Sequence, residues 1–170
     1  MAILIAYYSR KGQNYWNGSI VDLAKGNTER VAEFVQRAVG GELFEIEPVR
    51  EYSADYMTCT EEAKEELRQG ARPALKRYPE GLDGVDTIFL GYPNWWGTMP
   101  MCVYTFLERF DLSGKKIVPF CTNEGSGMGS SERELKKLCK GAIVAQGLSI
   151  HGAEAAKSEA KVAAWAKKNV

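Results

Sequence analysis

The feature that most constrains the fold is an alternation of short apolar stretches with stretches of helical period. Residues 2–8 are nearly continuous in apolar side chains, as in a strand buried on both faces. From Asn27 the period changes. Val31, Phe34, Val35, Ala38 and Val39 fall on one face of a helix, which Gly40-Gly41 stops. Residues 43–46 form a second strand, ended by Pro48, and residues 56–67 a second helix, ended near Gly70. Beyond a charged loop with Pro73 and Pro79, residues 87–92 make a third strand. Residues 101–110 are helical, with Val103, Phe106, Leu107 and Phe110 on one side. Residues 117–121 make a fourth strand. Pro119 within it cannot donate a ladder hydrogen bond, which predicts a bulge or a pairing gap on one side. Ser131-Glu132-Arg133-Glu134 reads as a capping box for a fourth helix that Gly141 closes. A fifth strand starts at residues 142–144. Residues 155–168 form the last helix, with Val162, Trp165 and Ala166 facing inward.

Five strands alternating with five helices imply a three-layer α/β sandwich around a five-stranded parallel sheet with helices on both faces. Right-handed crossovers leave few topologies. In such sheets a ligand sits beyond the carboxyl ends of the strands, where the strand order reverses. The 170 residues suit a single domain, 1–170, with a real core. Twenty-two basic and 22 acidic residues cancel, so nothing draws the chain to nucleic acid or to an anionic membrane. No apolar run approaches the ~20 residues of a membrane helix. The apolar start lacks a basic leader and reads as a strand rather than a signal peptide. Four separated cysteines and one histidine argue against a metal site or a redox-active cysteine pair. Reduced thiols in a soluble cytoplasmic protein are the expectation.

Three loops leave strand carboxyl ends with unusual residues. The first holds Ser9-Arg10, then a long stretch, then Gly26-Asn27-Thr28 opening the first helix. Amides at a helix start, two hydroxyls and a small Gly26 suit an anion, although Asn27 or Thr28 as a simple helix cap explains the same residues. The second is Tyr92-Pro93-Asn94-Trp95-Trp96-Gly97-Thr98. Two adjacent tryptophans cannot both enter one core from one regular element, so at least one lies at the surface or over a flat ligand; a core plug with a partner contact is the alternative. The third is Thr122-Asn123-Glu124-Gly125-Ser126-Gly127-Met128-Gly129, whose glycines admit close backbone approach or simply form a flexible turn. Glu124 stands where a nucleophile elbow needs glycine, and His151 has no evident partner in the sequence, which argues against a Ser/His hydrolase. The ligand that suits all three loops is anionic at one end and flat at the other.

In these residues the chain resembles the flavodoxin family over essentially its whole length. Gly26-Asn27-Thr28 with Tyr8-Ser9 looks like a split version of the family's phosphate loop. Residues 92–97 and 122–127 look like its two flavin-gripping loops. The resemblance implies strand order 2-1-3-4-5 with flavin mononucleotide (FMN) at the switch between strands one and three. It implies that Ser9, Arg10, Asn27 and Thr28 contact phosphate. Pro93, Asn94, Trp95, Trp96, Gly97 and Thr98 would contact ribityl and isoalloxazine, and Thr122, Gly125, Ser126 and Gly127 the pyrimidine edge through backbone groups. A backbone carbonyl near Trp96-Gly97 is the expected acceptor for N5 of the reduced flavin.

Two departures stand out. Residues 11–25 are an insertion in the first loop, with an Asn17-Gly18 turn signal, readable as a flap near the flavin or as a surface excursion. The neutral charge also differs from the acidic members that dock basic redox partners. The expected function is electron transfer through non-covalent FMN to a redox protein partner or a small-molecule electron acceptor. An NAD(P)H-dependent quinone or flavin reductase is the alternative, though no GxGxxG fingerprint is present. A flavin-free signalling module is remote, because Tyr8-Ser9 and Tyr92-Pro93 occupy the places where a phospho-acceptor site needs carboxylates.

Overall fold

Side chains of β1 (Ala2–Tyr7) alternate between two cores, and that alternation defines the layers. Leu4, Ala6 and the following Tyr8 pack on one face of the sheet, and Ile5 and Tyr7 on the other. These relations come from a computed structural model that describes residues 2–170. The remaining main-sheet strands are β4 (Glu42–Glu45), β5 (Val85–Pro93), β6 (Lys116–Asn123), β7 (Ile143–Val144) and β8 (Leu148–His151). The order is β4-β1-β5-β6, with β7 and β8 both beside β6, and all pairs are parallel. Taking β7 and β8 as one interrupted strand, this is the order 2-1-3-4-5.

The interruption has a local cause. The Ile117 carbonyl accepts from Ala145 on the fifth-strand side at 2.9 Å. Backbone groups alternate sides along a strand, so Pro119 faces the same neighbour and has no N–H to give it. Pairing resumes only at Phe120–Leu148, while the Gly147 amide turns to the Glu132 carboxylate at 2.8 Å. On its other side β6 pairs β5 without a break.

Helices α1 (Asn27–Val39) and α5 (Glu159–Lys167) cover one face; α3 (Met101–Glu108) and α4 (Ser131–Leu138) cover the other. Helix α2 (Tyr56–Gln69) is capped by Asp55, whose carboxylate accepts from the Thr58 amide at 2.9 Å. A 3-10 turn over Gly152–Lys157 leads into α5, so the last helix begins later and less regularly than its periodicity implies. The capping box of α4 does not form. Ser131 is wholly buried, and its hydroxyl donates to the Met128 carbonyl at 2.6 Å and meets the Tyr92 hydroxyl at 2.9 Å. Tertiary packing has taken the hydroxyl that a cap would use.

The insertion folds as an antiparallel hairpin of β2 (Gly12–Trp16) and β3 (Ser19–Leu23). Asn17 and Gly18 both have positive φ, 51° and 86°, the geometry of a two-residue type I′ turn. Among the described residues, no helix is long and apolar enough to cross a membrane. All four cysteines are buried and unpaired, and burial pushes the Cys59 and Cys139 thiols up to about 11.

Gly91 shows how tightly β5 is set against β6 next to the site. A β-carbon there would stand 2.3 Å from the Phe120 ring. Gly91→Ala is therefore expected to destabilise the fold by about 1–3 kcal/mol. Denaturant unfolding should show much of that loss recovered in Gly91→Ala/Phe120→Leu.

Candidate functional site

The three unusual loops converge at the carboxyl ends of β1, β5 and β6. In the first, Gly26 stands at the start of α1 in extended conformation with no side-chain cap of its own. The cap comes from another segment: Ser9 Oγ accepts from the Glu29 amide at 3.0 Å. Only glycine permits this, since a β-carbon at Gly26 would lie 2.1 Å from Ser9 Oγ and 2.6 Å from the Arg10 carbonyl. The Asn27 and Thr28 amides lie ahead of the Arg30 amide, which donates to the Gly26 carbonyl at 3.1 Å as the first intrahelical bond, and they carry the positive end of the helix dipole. The Thr28 side chain points elsewhere. It is buried, and its hydroxyl meets the Thr122 hydroxyl at 2.8 Å, tying the helix start to the end of β6. Arg10 is also directed away from the helix start. Its guanidinium donates to the carbonyls of Gln13, Ser53 and Ala54 at 2.8, 3.0 and 3.2 Å, joining the hairpin to the approach to α2.

In the second loop, residues 95–98 form a tight turn closed by the Trp95 amide and the Thr98 carbonyl at 2.9 Å. Trp96 and Gly97 both have positive φ, 57° and 88°, so Trp96 carries backbone strain that Gly97 avoids. Asn94 stabilises the turn and joins it to the third loop. Its Oδ1 accepts from the Gly97 amide at 2.9 Å, and its Nδ2 donates to the Gly127 carbonyl at 2.8 Å. The Gly97 carbonyl accepts from the Ser130 amide at 2.7 Å and from its hydroxyl at 3.1 Å. That carbonyl is thus committed within the protein, which leaves the Trp96 carbonyl as the turn's candidate acceptor. The two tryptophans diverge. Trp95 packs edge-on against Tyr8 and Tyr52, with centroids 5.2 and 5.0 Å away. Trp96 is 49% exposed and lies over α2, its indole donating to the Thr60 carbonyl at 2.9 Å beneath the Lys64 ammonium. Thr98 is buried, its hydroxyl 2.7 Å from that of Tyr104.

The third loop is ordered by Asn123, which accepts from the Gly125 amide at 2.9 Å and donates to the Ser149 hydroxyl at 2.8 Å. Positive φ values at Gly125 and Gly127 turn the chain back over the sheet edge. His151 does have partners, contrary to the sequence reading. Its Nε2 is 2.8 Å from the Glu124 carboxylate and 3.2 Å from Asn17 Oδ1. The hairpin tip is thereby fastened to the third loop, while Gln13 Oε1 accepts from the Tyr56 amide at 2.7 Å at the hairpin's base. The insertion runs along the sheet edge as a strap rather than as an outward excursion.

Between these loops lies a crevice of about 240 Å³. Of the sequence-derived residues, Asn27, Pro93, Asn94, Trp95, Thr122 and Ser126 line it. Ser9, Arg10, Thr28, Trp96, Gly97, Thr98, Gly125 and Gly127 do not. Asn14, Tyr15, Tyr56 and Gly152 line it without having been singled out. Tyr15 and Tyr56 meet edge-on at 4.8 Å, a contact between distant segments that no local pattern encodes. Gly152 leaves room for the Asn27 side chain, 2.7 Å from where a β-carbon would stand. Helix-start amides at one end, aromatic rings along the middle and turned glycine backbone at the other end suit an anionic molecule with a planar group.

Fold and crevice together define a parallel α/β protein with a crevice at the switch point of the sheet. The family described as Flavodoxin matches residues 20–169. A Bacteroides eggerthii protein assigned provisionally to the flavoproteins is 32% identical, with 99% of this chain and 97% of that one covered at a TM-score of 0.78. A similarly assigned Bacteroides uniformis protein is also 32% identical, covering 98% and 97% at 0.79. A Lactobacillus acidophilus flavoprotein, solved in complex with FMN, shares the fold at 20% identity, covering 92% and 97% at 0.67. Among curated proteins none matches. The chain belongs to the flavodoxin family.

The buried Thr28–Thr122 hydroxyl pair gives a direct test of how the site is held together. Either Thr→Val change alone leaves one buried hydroxyl without its partner and is expected to cost about 1–3 kcal/mol. The double Val variant should be less destabilised than the sum of the two. Additive losses in denaturant unfolding would show that the pair does not couple α1 to β6.

Proposed function

We propose that the chain binds one FMN non-covalently in this crevice and serves in electron transfer. The observation that carries the reading is the pairing of an α1 start without a side-chain cap of its own with an aromatic-walled crevice at the same sheet edge. In this reading the Asn27 and Thr28 amides receive the phosphate, with Ser9 holding the helix start in place. Asn94, Pro93 and Thr122 line the ribityl path. Trp95 and Tyr15 border the ring, and the backbone of Gly125, Ser126 and Gly127 meets its polar edge. Arg10, Trp96 and Thr98 drop out of the contact set, because their side chains are directed to the hairpin, to α2 and to the core.

When bound, FMN supplies the redox chemistry, and the protein supplies orientation and electrostatics. Asn94 holds the Gly97 amide and so fixes how the Trp96–Gly97 peptide faces the crevice. The reading takes residues 1–170 as one cytoplasmic domain whose partner is a redox protein or a small-molecule acceptor. The chain's neutral charge offers no general attraction to a strongly basic protein partner.

Purified protein should be yellow and release FMN, identified by mass, at one per chain. Gly26→Ala should weaken FMN uptake at least about tenfold, because the added methyl pushes Ser9 and Arg10 off the helix start. A colourless protein that takes up no added FMN contradicts the reading.

A further inference from the structure

A second cavity, of about 310 Å³, adjoins the crevice and shares Tyr15, Tyr56, Asn94 and Trp95 with it. Its remaining walls come from Trp96 and from the α2 residues Met57, Cys59, Thr60 and Ala63. The Cys59 thiol is held protonated by burial, so it serves as wall rather than nucleophile. Four aromatic side chains around so small a space favour a flat, apolar occupant. The volume lies at the low end of the roughly 300–1,000 Å³ of small-molecule sites, which suits one or two fused rings and excludes a dinucleotide.

One wall carries a charge. Arg10 lines the cavity and, among the described residues, has no carboxylate partner; its three protein contacts are all backbone carbonyls. The acidic groups close by are otherwise placed. Asp55 is committed to the amide and hydroxyl of Thr58, and Glu61 lies exposed at the rim. A half-buried guanidinium on an apolar wall is matched by an anionic oxygen on the occupant.

We propose that this cavity is a binding site for a planar aromatic acid of one or two fused rings, whose ring lies among Tyr15, Tyr56, Trp95 and Trp96 with its anionic oxygen on Arg10. The cavity is built by protein side chains alone. Its occupation by such an acid does not rest on the FMN reading.

The test is calorimetric titration of 2-naphthoate into FMN-loaded and FMN-free protein. Binding to the loaded protein is expected, with about tenfold weaker binding of the neutral isostere 2-naphthalenemethanol. Met57 is exposed and outside the crevice, so Met57→Trp should fill the cavity and abolish 2-naphthoate binding while FMN uptake stays unchanged. Equal affinity for the neutral isostere overturns the assignment of Arg10. Binding only to FMN-free protein, with release on adding FMN, overturns the proposal and gives the cavity to the flavin. Absence of binding to either form overturns it as well, with the flavin reading intact. Naphthoate binding that Met57→Trp abolishes, in a protein that takes up no FMN, sustains the cavity as a site and removes the flavin.

Discussion

Helix α1 begins where it does because Gly26 lets two chain segments touch. Ser9, from the end of β1, approaches so closely that no β-carbon fits between them, and its hydroxyl takes the Glu29 amide. The helix is capped from outside at Glu29, and the Asn27 and Thr28 amides lie ahead of that cap. The Thr28–Thr122 hydroxyl pair then fixes this helix start against the end of β6. The rest of the site is arranged around that fixed point, since the second and third loops leave the two strands immediately beyond it.

Those two loops are set relative to one another by Asn94 and Ser130. Asn94 spans from the Gly97 amide to the Gly127 carbonyl, and Ser130 holds the Gly97 carbonyl from the other side. The turn between them stores strain at Trp96, of order 1–3 kcal/mol for a bulky residue at positive φ. The indole bond to Thr60 and the Lys64 ammonium over the ring offset it. The strained residue thus joins the turn to α2 along the wall of the neighbouring cavity. A wall ordered before binding reduces the entropy lost when a ligand settles against it.

The main strands and helices were legible because burial on two faces imposes periodicity, and periodicity survives in sequence; the sheet order came with the resemblance to the flavodoxin family. Even the break opposite Pro119 was legible, since a missing N–H is a local property. The loops could be placed at the sheet edge for the same reason. Side-chain direction within them could not. Thr98 and Thr28 turn inward to hydroxyls on other elements, Ser131 serves Tyr92 rather than its own helix, and Arg10 reaches carbonyls more than forty residues away. Asn17-Gly18 marked a turn but not the two strands around it, and Gln13, Arg10 and His151 fasten the hairpin through contacts that exist only after folding.

Everything proposed for the crevice depends on phosphate capture at the start of α1. Comparing the affinities of FMN and riboflavin isolates that group, because the two ligands differ in nothing else. Two charge-assisted hydrogen bonds from helix-start amides predict that FMN binds at least about a hundredfold more tightly. Equal affinities would contradict phosphate capture at Asn27 and Thr28.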